Sequence, residues 1–439
     1  MSLRVLVIYS GRLGIGGANV FLQDLLEELS KITKAQFYLA SIYLRNGILR
    51  LELGVAKNRI FYKYVTKAYS TLHVNGLNTA LERVSKFMEV FVELLKPNLM
   101  LVNSVEPVVL AIIEKVMDKC HKSYIIVHDG GFFCPLKHMW DPIKGRPCNM
   151  PCLALEEPPK YCVAAEVLLK IGYIQPLFNP LRPKLLKPAK KISVSKDLQG
   201  VWEIARTVLK HSTVIVPSKF MASLIKRFAN IDATIIRHGA PAELFALARE
   251  PRRAGRVRVG FIGDISLHKG VHVLLEAIDL IRRHRRDLAR SVAFYIAGKV
   301  HNLSSVSVKI ISKYKHLLRR HVHILGFVRS RTSIYRLLDA VVLPSICHEN
   351  APLTVIEGIA SGRHIIASNV GGVPEYLGTY PRGLLVKPGD PYALAEALEH
   401  AVEKVVNVKN PSEALDTYRY VNTISDVAAR YAHLLLGDR

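Results

Sequence analysis

Between Pro344 and Glu375 the chain reads PSICHENAPLTVIEGIASGRHIIASNVGGVPE. Pro352 suits the first position of a helix, and the apolar pattern predicts that this helix runs to Ser361–Gly362. The first-turn amides, Leu353 and Thr354, then lack intrahelical acceptors and form an anion site of the kind that takes a diphosphate. Glu349 lies in the loop before this helix and Glu357 five residues into it. Their carboxylates can flank one bound molecule from different heights. Carboxylates accept paired hydrogen bonds from adjacent hydroxyls, as on ribose or a hexose. Two unrelated surface glutamates would not come with an anion site between them.

Three further constellations carry polar groups at strand ends. In GFIGDISLHKGVHVLLEAI (260–278) a strand meets a turn and Lys269-Gly270 opens an amphipathic helix, placing the Lys269 ammonium at the edge of a sheet within reach of a phosphate. A cation at a helix start is unfavourable for the helix dipole, so Lys269 calls for a reason outside its own helix. In SGRLGIGGANVFLQDLLEEL (10–29) Gly14, Gly16 and Gly17 allow backbone to approach a ligand, although the spacing is not the dinucleotide G-x-G-x-x-G. In IIVHDGGFFCP (125–135) His128 closes a buried strand. Arg237 and His238 in IRHGAP (236–241) either line the same cleft or serve packing.

These loops need strands and helices to hold them. Continuous apolar runs read as buried parallel strands: 4–10, 35–43, 99–104, 123–129, 190–195, 212–218 and 233–239, with helical patterns at 18–30, 78–95, 108–119 and 218–228. Charge, Pro and Gly break the pattern at 248–256, the expected interdomain linker. A second βα series follows, with strands at 257–263, 293–298, 321–326, 340–345, 364–369 and 383–386. The fold class is therefore α/β, with two doubly wound parallel-sheet domains: 1–247, containing a Cys-rich and basic apolar insertion at 134–191, and 257–415. A last helix is expected near 421–436, within 416–439. Two domains also suit 439 residues, since one core stops growing near ~250–300.

The segment around Glu349 and Glu357 resembles the donor-binding signature of retaining family 4 glycosyltransferases (glycosyl transferases group 1), enzymes of GT-B architecture. Glu349 and Glu357 match that family's E-x7-E motif. The resemblance implies that Glu349 contacts the donor sugar and Glu357 the nucleotide ribose. It implies that Asn350, Ala351, Pro352 and Leu353 face the sugar and diphosphate. GGVPE (Gly371–Glu375) matches the next block, Gly16 and Gly17 match a double-glycine loop near the donor phosphate, and His128 matches a histidine facing the transferred sugar. PSKFMASLIKRF (217–228) also matches. Where the family carries an Arg shortly before Lys269, this chain has Asp264, so either Lys269 acts with backbone amides or an Arg from elsewhere substitutes. The resemblance implies a nucleotide-sugar donor bound by the second domain, an acceptor on the first, a last helix (416–439) that crosses back to the first domain, retention of configuration, no metal, and His128, Lys269 and Glu349 as catalytic residues. The rival readings are a GT-B nucleotide-sugar epimerase, against which the E-x7-E spacing argues, and a non-catalytic basic binding protein.

The net charge of +25 admits nucleic acid, an anionic membrane face or phosphorylated substrates as partners. No aromatic-rich basic motif favours nucleic acid, so the charge points to phosphate and an anionic membrane surface; with the donor and acceptor that the resemblance implies, the expected partners are a nucleotide-sugar donor, a glycan or lipid-linked acceptor and an anionic membrane surface. The segment 166–191 mixes Leu, Ile and Phe with Lys and Arg. It is either an interfacial or acceptor-binding element, or an apolar segment packed on its own domain. With no secretory signal and no ~18-residue apolar span, the expected location is the cytoplasm, at the inner face of the membrane. No cofactor is expected. Of six cysteines, Cys134, Cys148, Cys152 and Cys162, with His138 nearby, leave three options open: a structural Zn²⁺ knob, a disulfide, or unlinked thiols.

Overall fold

The computed structural model describes residues 3–45, 48–57, 60–61, 64–67, 74–103, 107–134, 139–141, 146–149, 200–251, 254–299, 312–318, 320–406 and 416–437. The expected strand at 190–195, the basic apolar segment 166–191, His138, Cys152 and Cys162 lie outside these residues.

The first sheet runs, in spatial order, Thr234–Ile235, Thr213–Val216, Lys122–Ile126, Leu99–Asn103, Arg4–Tyr9, Gln36–Arg45 and Ile48–Lys57. All neighbours are parallel except the last pair, which is antiparallel, and two short strands extend that edge. The antiparallel strand Ile48–Lys57 was not expected from the sequence. It shows period-2 alternation, with Leu49 and Leu51 buried at 0% and 2% exposure, and lacks the continuous apolar run of its neighbours. The helix Gly17–Ile32 turns Phe21, Leu22, Leu25, Leu26 and Leu29 into the core at helical spacing.

The second sheet has the order Val322–Gly326, Val292–Ala297, Val257–Ile262, Ala340–Leu343, His364–Ser368 and Gly383–Val386, all parallel. In chain order this is 3-2-1-4-5-6, the doubly wound arrangement in which ligands bind where the strand order reverses. The reversal falls between Val257–Ile262 and Ala340–Leu343. The loops after these two strands carry Lys269 and Glu349. In the first sheet the reversal lies between Arg4–Tyr9 and Leu99–Asn103, strands that lead into the glycine loop and end on Asn103.

The Ile424–Leu436 helix packs on the first domain. It begins with a capping box between Thr423 and Asp426, and its Ile424, Val427, Ala428, Tyr431 and Leu435 join the core around Phe21 and Leu25. The Tyr124 hydroxyl donates to the Leu434 carbonyl at 3.1 Å. Among the described residues no helix is long and apolar enough to cross a membrane.

Candidate active site

The loop after Ala340–Leu343 is held from both sides. Gly371 and Gly372 press against it so closely that a Cβ would lie 2.0 Å from the Glu349 carbonyl oxygen and 2.1 Å from that of Asn350. The Gly372 amide donates to the Glu349 carbonyl at 2.7 Å. The two glycines of GGVPE thus set the backbone of the loop. Gly270 does the same for Lys269: its φ is 73° and a Cβ would sit 1.7 Å from the Pro344 oxygen, a position only glycine can occupy.

Lys269 Nζ reaches Glu349 Oε1 at 2.7 Å. The Ser345 hydroxyl donates to the same oxygen at 2.6 Å, and Cys347 Sγ lies 3.9 Å from it. All three contacts fall on one oxygen. Burial alone would lower the Lys269 pKa, but the adjacent Glu349 carboxylate reverses this and holds the ammonium charged; Asp264 adds to the effect. The unfavourable cation at this helix start is therefore paired across the strand-order reversal.

The helix runs Leu353–Ala360, one residue later than expected: Pro352, with ψ 117°, is still extended and caps it. The Val355 and Ile356 amides close on the Pro352 carbonyl at 3.0 and 3.2 Å, and those of Leu353 and Thr354 head the helix. Ala351 packs with Leu353 against the second-domain core. Glu357 is 6% exposed. Burial pushes its carboxyl up to about 7, while Arg331 and the Tyr335 hydroxyl pull it down.

Arg331 was missed by the sequence reading. It opens the helix Arg331–Leu337. Its Nη1 lies 3.3 Å from Glu357 Oε1, and its fork grips Asp24 of the first domain at 2.6 and 2.8 Å. No local signal marks the pair, since Arg331 and Asp24 are 307 positions apart.

Facing this wall, His128 Nε2 lies 2.7 Å from Asn103 Oδ1, and His128 Nδ1 lies 3.0 Å from His238 Nε2. Asn103 Nδ2 donates to the Ala18 carbonyl at 3.3 Å, behind Gly16 and Gly17. Phe21 stacks on His238 at 3.7 Å. The glycine loop itself is open: Gly16 has φ 81°, and a Cβ on Gly16 or Gly17 would meet nothing within 4 Å. Asn350 joins the two walls, donating to the Val127 and His128 carbonyls at 3.3 and 3.1 Å and accepting from the Ser218 hydroxyl. Both ring nitrogens of His128 are thus engaged by protein groups.

Among the described residues, no three metal-binding side chains converge. Arg237 Nη2 approaches Glu375 at 3.8 Å.

Residues 256–404 match the family described as glycosyl transferases group 1. The match covers about a third of the chain. Its group 1 segment spans most of the second domain, where Lys269, Glu349 and Glu357 lie. The chain is 28% identical over 175 residues to glycogen synthase of Mycobacterium tuberculosis, covering 39% of this chain and 40% of that one; it therefore spans well under half the length of that relative. Sucrose-phosphate synthase of Thermosynechococcus elongatus shares the fold with a TM-score of 0.65 at 15% identity, over 99% and 98% of the two chains. Anabaena Alr3699/HepE in complex with UDP and glucose does so with a TM-score of 0.59 at 14% identity, over 98% and 99%. The architecture of the chain is GT-B, two doubly wound domains facing a cleft.

Proposed function

We propose that this protein transfers a sugar from a nucleotide-sugar donor to a glycan or lipid-linked acceptor, with retention of configuration and without a metal ion. The observation that carries the reading is the Lys269–Glu349 pair at 2.7 Å, set where the strand order reverses and beside the open start of the Leu353–Ala360 helix. A nucleoside diphosphate supplies what these groups lack: an anion for the amides and Lys269, a sugar hydroxyl for the second Glu349 oxygen, and a ribose diol for Glu357. The relative crystallised with UDP and glucose supports that ligand class.

The chemistry follows from the charges. As the bond between the sugar C1 and the diphosphate oxygen breaks, negative charge grows on the leaving group. Lys269 and the helix amides stabilise it. The acceptor hydroxyl attacks C1 from the same face, and its proton passes to the departing phosphate oxygen. His128 and Asn350 shape the sugar side of the cleft. The acceptor reaches C1 from the first domain, and the chain's +25 charge suits one presented at an anionic membrane.

The test is a thermal-shift panel of nucleotide sugars, followed by product analysis with the donor that binds. A ligand at 100 times its Kd stabilises by about 2.7 kcal/mol. Absence of stabilisation by every nucleotide sugar and nucleoside diphosphate would refute the reading. Conversion of the donor sugar with no acceptor present would replace transfer by epimerisation.

A further inference from the structure

Asp24 stands alone on its helix: the residues three and four positions away, Val20, Phe21, Glu27 and Glu28, offer it no cation. Its partner is Arg331, from the other domain. Arg331 in turn is placed badly for its own helix, since a cation at the first position opposes the dipole. Both oddities resolve in one contact. The guanidinium fork binds both Asp24 oxygens, at 2.6 and 2.8 Å, and the same Nη1 touches Glu357 at 3.3 Å. All three side chains are largely shielded, with 30% exposure for Arg331, 13% for Asp24 and 8% for Glu357.

We infer that Arg331 is a positioning residue that ties closure of the cleft to the charge on Glu357: Asp24 seats the fork when the domains meet, and the seated fork holds Glu357 as the carboxylate that a ribose diol needs. This rests on the nucleotide-sugar reading and extends it. The groups acting on Glu357 are Arg331 and Tyr335 from one helix and Asp24 from the other domain. Burial and the like charge of Asp24 oppose the carboxylate; Arg331 and the Tyr335 hydroxyl favour it. A protonated Glu357 keeps fewer acceptor sites for the two ribose hydroxyls. With the domains apart, Arg331 loses its anchor; the loss of its grip on Glu357 outweighs the relief from the Asp24 charge, and Glu357 takes up a proton more readily. Donor binding and closure then reinforce each other.

The experiment is calorimetric titration of the wild type and variants with UDP-glucose and ADP-glucose from pH 5.5 to 9. The diphosphate of these diesters keeps a constant charge over that range. In the wild type, affinity falls as pH drops through the Glu357 midpoint. Arg331→Met moves that midpoint up by about 1–3 pH units, Arg331→Lys retains most of the wild-type profile, and Asp24→Asn moves it up by less than Arg331→Met. Glu357→Gln, close to isosteric and suited to the case where Arg331→Met does not fold, flattens the profile. An unchanged midpoint in Arg331→Met, or wild-type pH dependence in Glu357→Gln, overturns the inference while leaving the donor reading intact. A lowered midpoint in Asp24→Asn overturns the seating role of Asp24. Failure of the wild type to bind either sugar nucleotide, with the wider panel also silent, overturns the donor reading and this inference together.

Discussion

His128 and His238 share one hydrogen bond, 3.0 Å long, and its direction is fixed by their surroundings. Asn103 spends its amide on the Ala18 carbonyl, so its oxygen faces His128 and accepts from Nε2. In neutral His128 the other nitrogen, Nδ1, must then accept. His238 therefore donates from Nε2 and is left with an Nδ1 lone pair that is buried with no partner among the described residues. A sugar hydroxyl reaching His128 has to displace Asn103 or His238.

The pair makes folding sensitive to acid. Burial lowers His128 to about 4, with Asp129 opposing weakly, and it lowers His238 well below 6.5, with His128 adding to the effect. Between the unfolded value near 6.5 and about 4 the unfolded chain binds more protons than the folded one. Stability therefore falls as pH drops through this window. His272 and His364, also lowered to about 4, contribute in the same direction. His238→Asn should flatten the acid limb by up to one proton, about 1.4 kcal/mol per pH unit. The measurement is urea unfolding at pH 7.0, 6.0 and 5.0. Parallel slopes for wild type and variant would show that His238 titrates alike in both states.

Lys269 and Glu349 should behave differently singly and together. Lys269→Met strands a buried carboxylate, and Glu349→Gln strands an ammonium. Breaking such a pair costs about 3–5 kcal/mol when fully buried, and less here because Lys269 keeps 26% of its side-chain surface. The double variant should recover most of the lost stability in thermal melts. Its transfer rate should remain at least about 10²-fold down, since the leaving diphosphate has lost its cation. Full activity in the double variant would remove both residues from the chemistry.

Glu375 acts as a helix cap from the other domain. Its two oxygens accept from the Lys219 and Phe220 amides at 2.9 and 2.7 Å, at the start of the helix Lys219–Ala229. Ser218 caps the same helix locally through the Met221 amide. Glu375→Ala should cost about 0.5–2 kcal/mol and speed hydrogen exchange at the amides of 219 and 220 while leaving that of Met221 protected. Uniformly faster exchange across the helix would mean that the cap holds the helix itself more than the domain contact.

Chelation separates two possibilities at once. If Lys269 and the helix amides carry the leaving-group charge, EDTA leaves transfer unchanged. Loss of activity restored by Mg²⁺ or Mn²⁺ would contradict this. Loss of activity and fold restored only by Zn²⁺ would assign a structural metal to Cys134, Cys148, Cys152 and Cys162.

What the sequence determined by itself is local. The six strands of the second domain, the glycine-bounded turns and the Leu353–Ala360 helix all follow from apolar runs and capping residues within a dozen positions of one another, and they lie in or beside the segment that the glycosyl transferases group 1 model matches. The strand Ile48–Lys57 escaped because half of each alternating strand is polar. What the tertiary structure decided is which polar groups meet. Asp24 with Arg331, Ser218 with Asn350, Glu375 with the amides of 219 and 220, and Asn103 with His128 join residues between 25 and 307 positions apart. No periodicity encodes such pairs. They arise because two sheets, each reversing its strand order at one place, bring those places face to face. Burial makes an unpaired charge there costly, and Lys269, Glu349, Arg331 and Glu357 are each held by a neighbour.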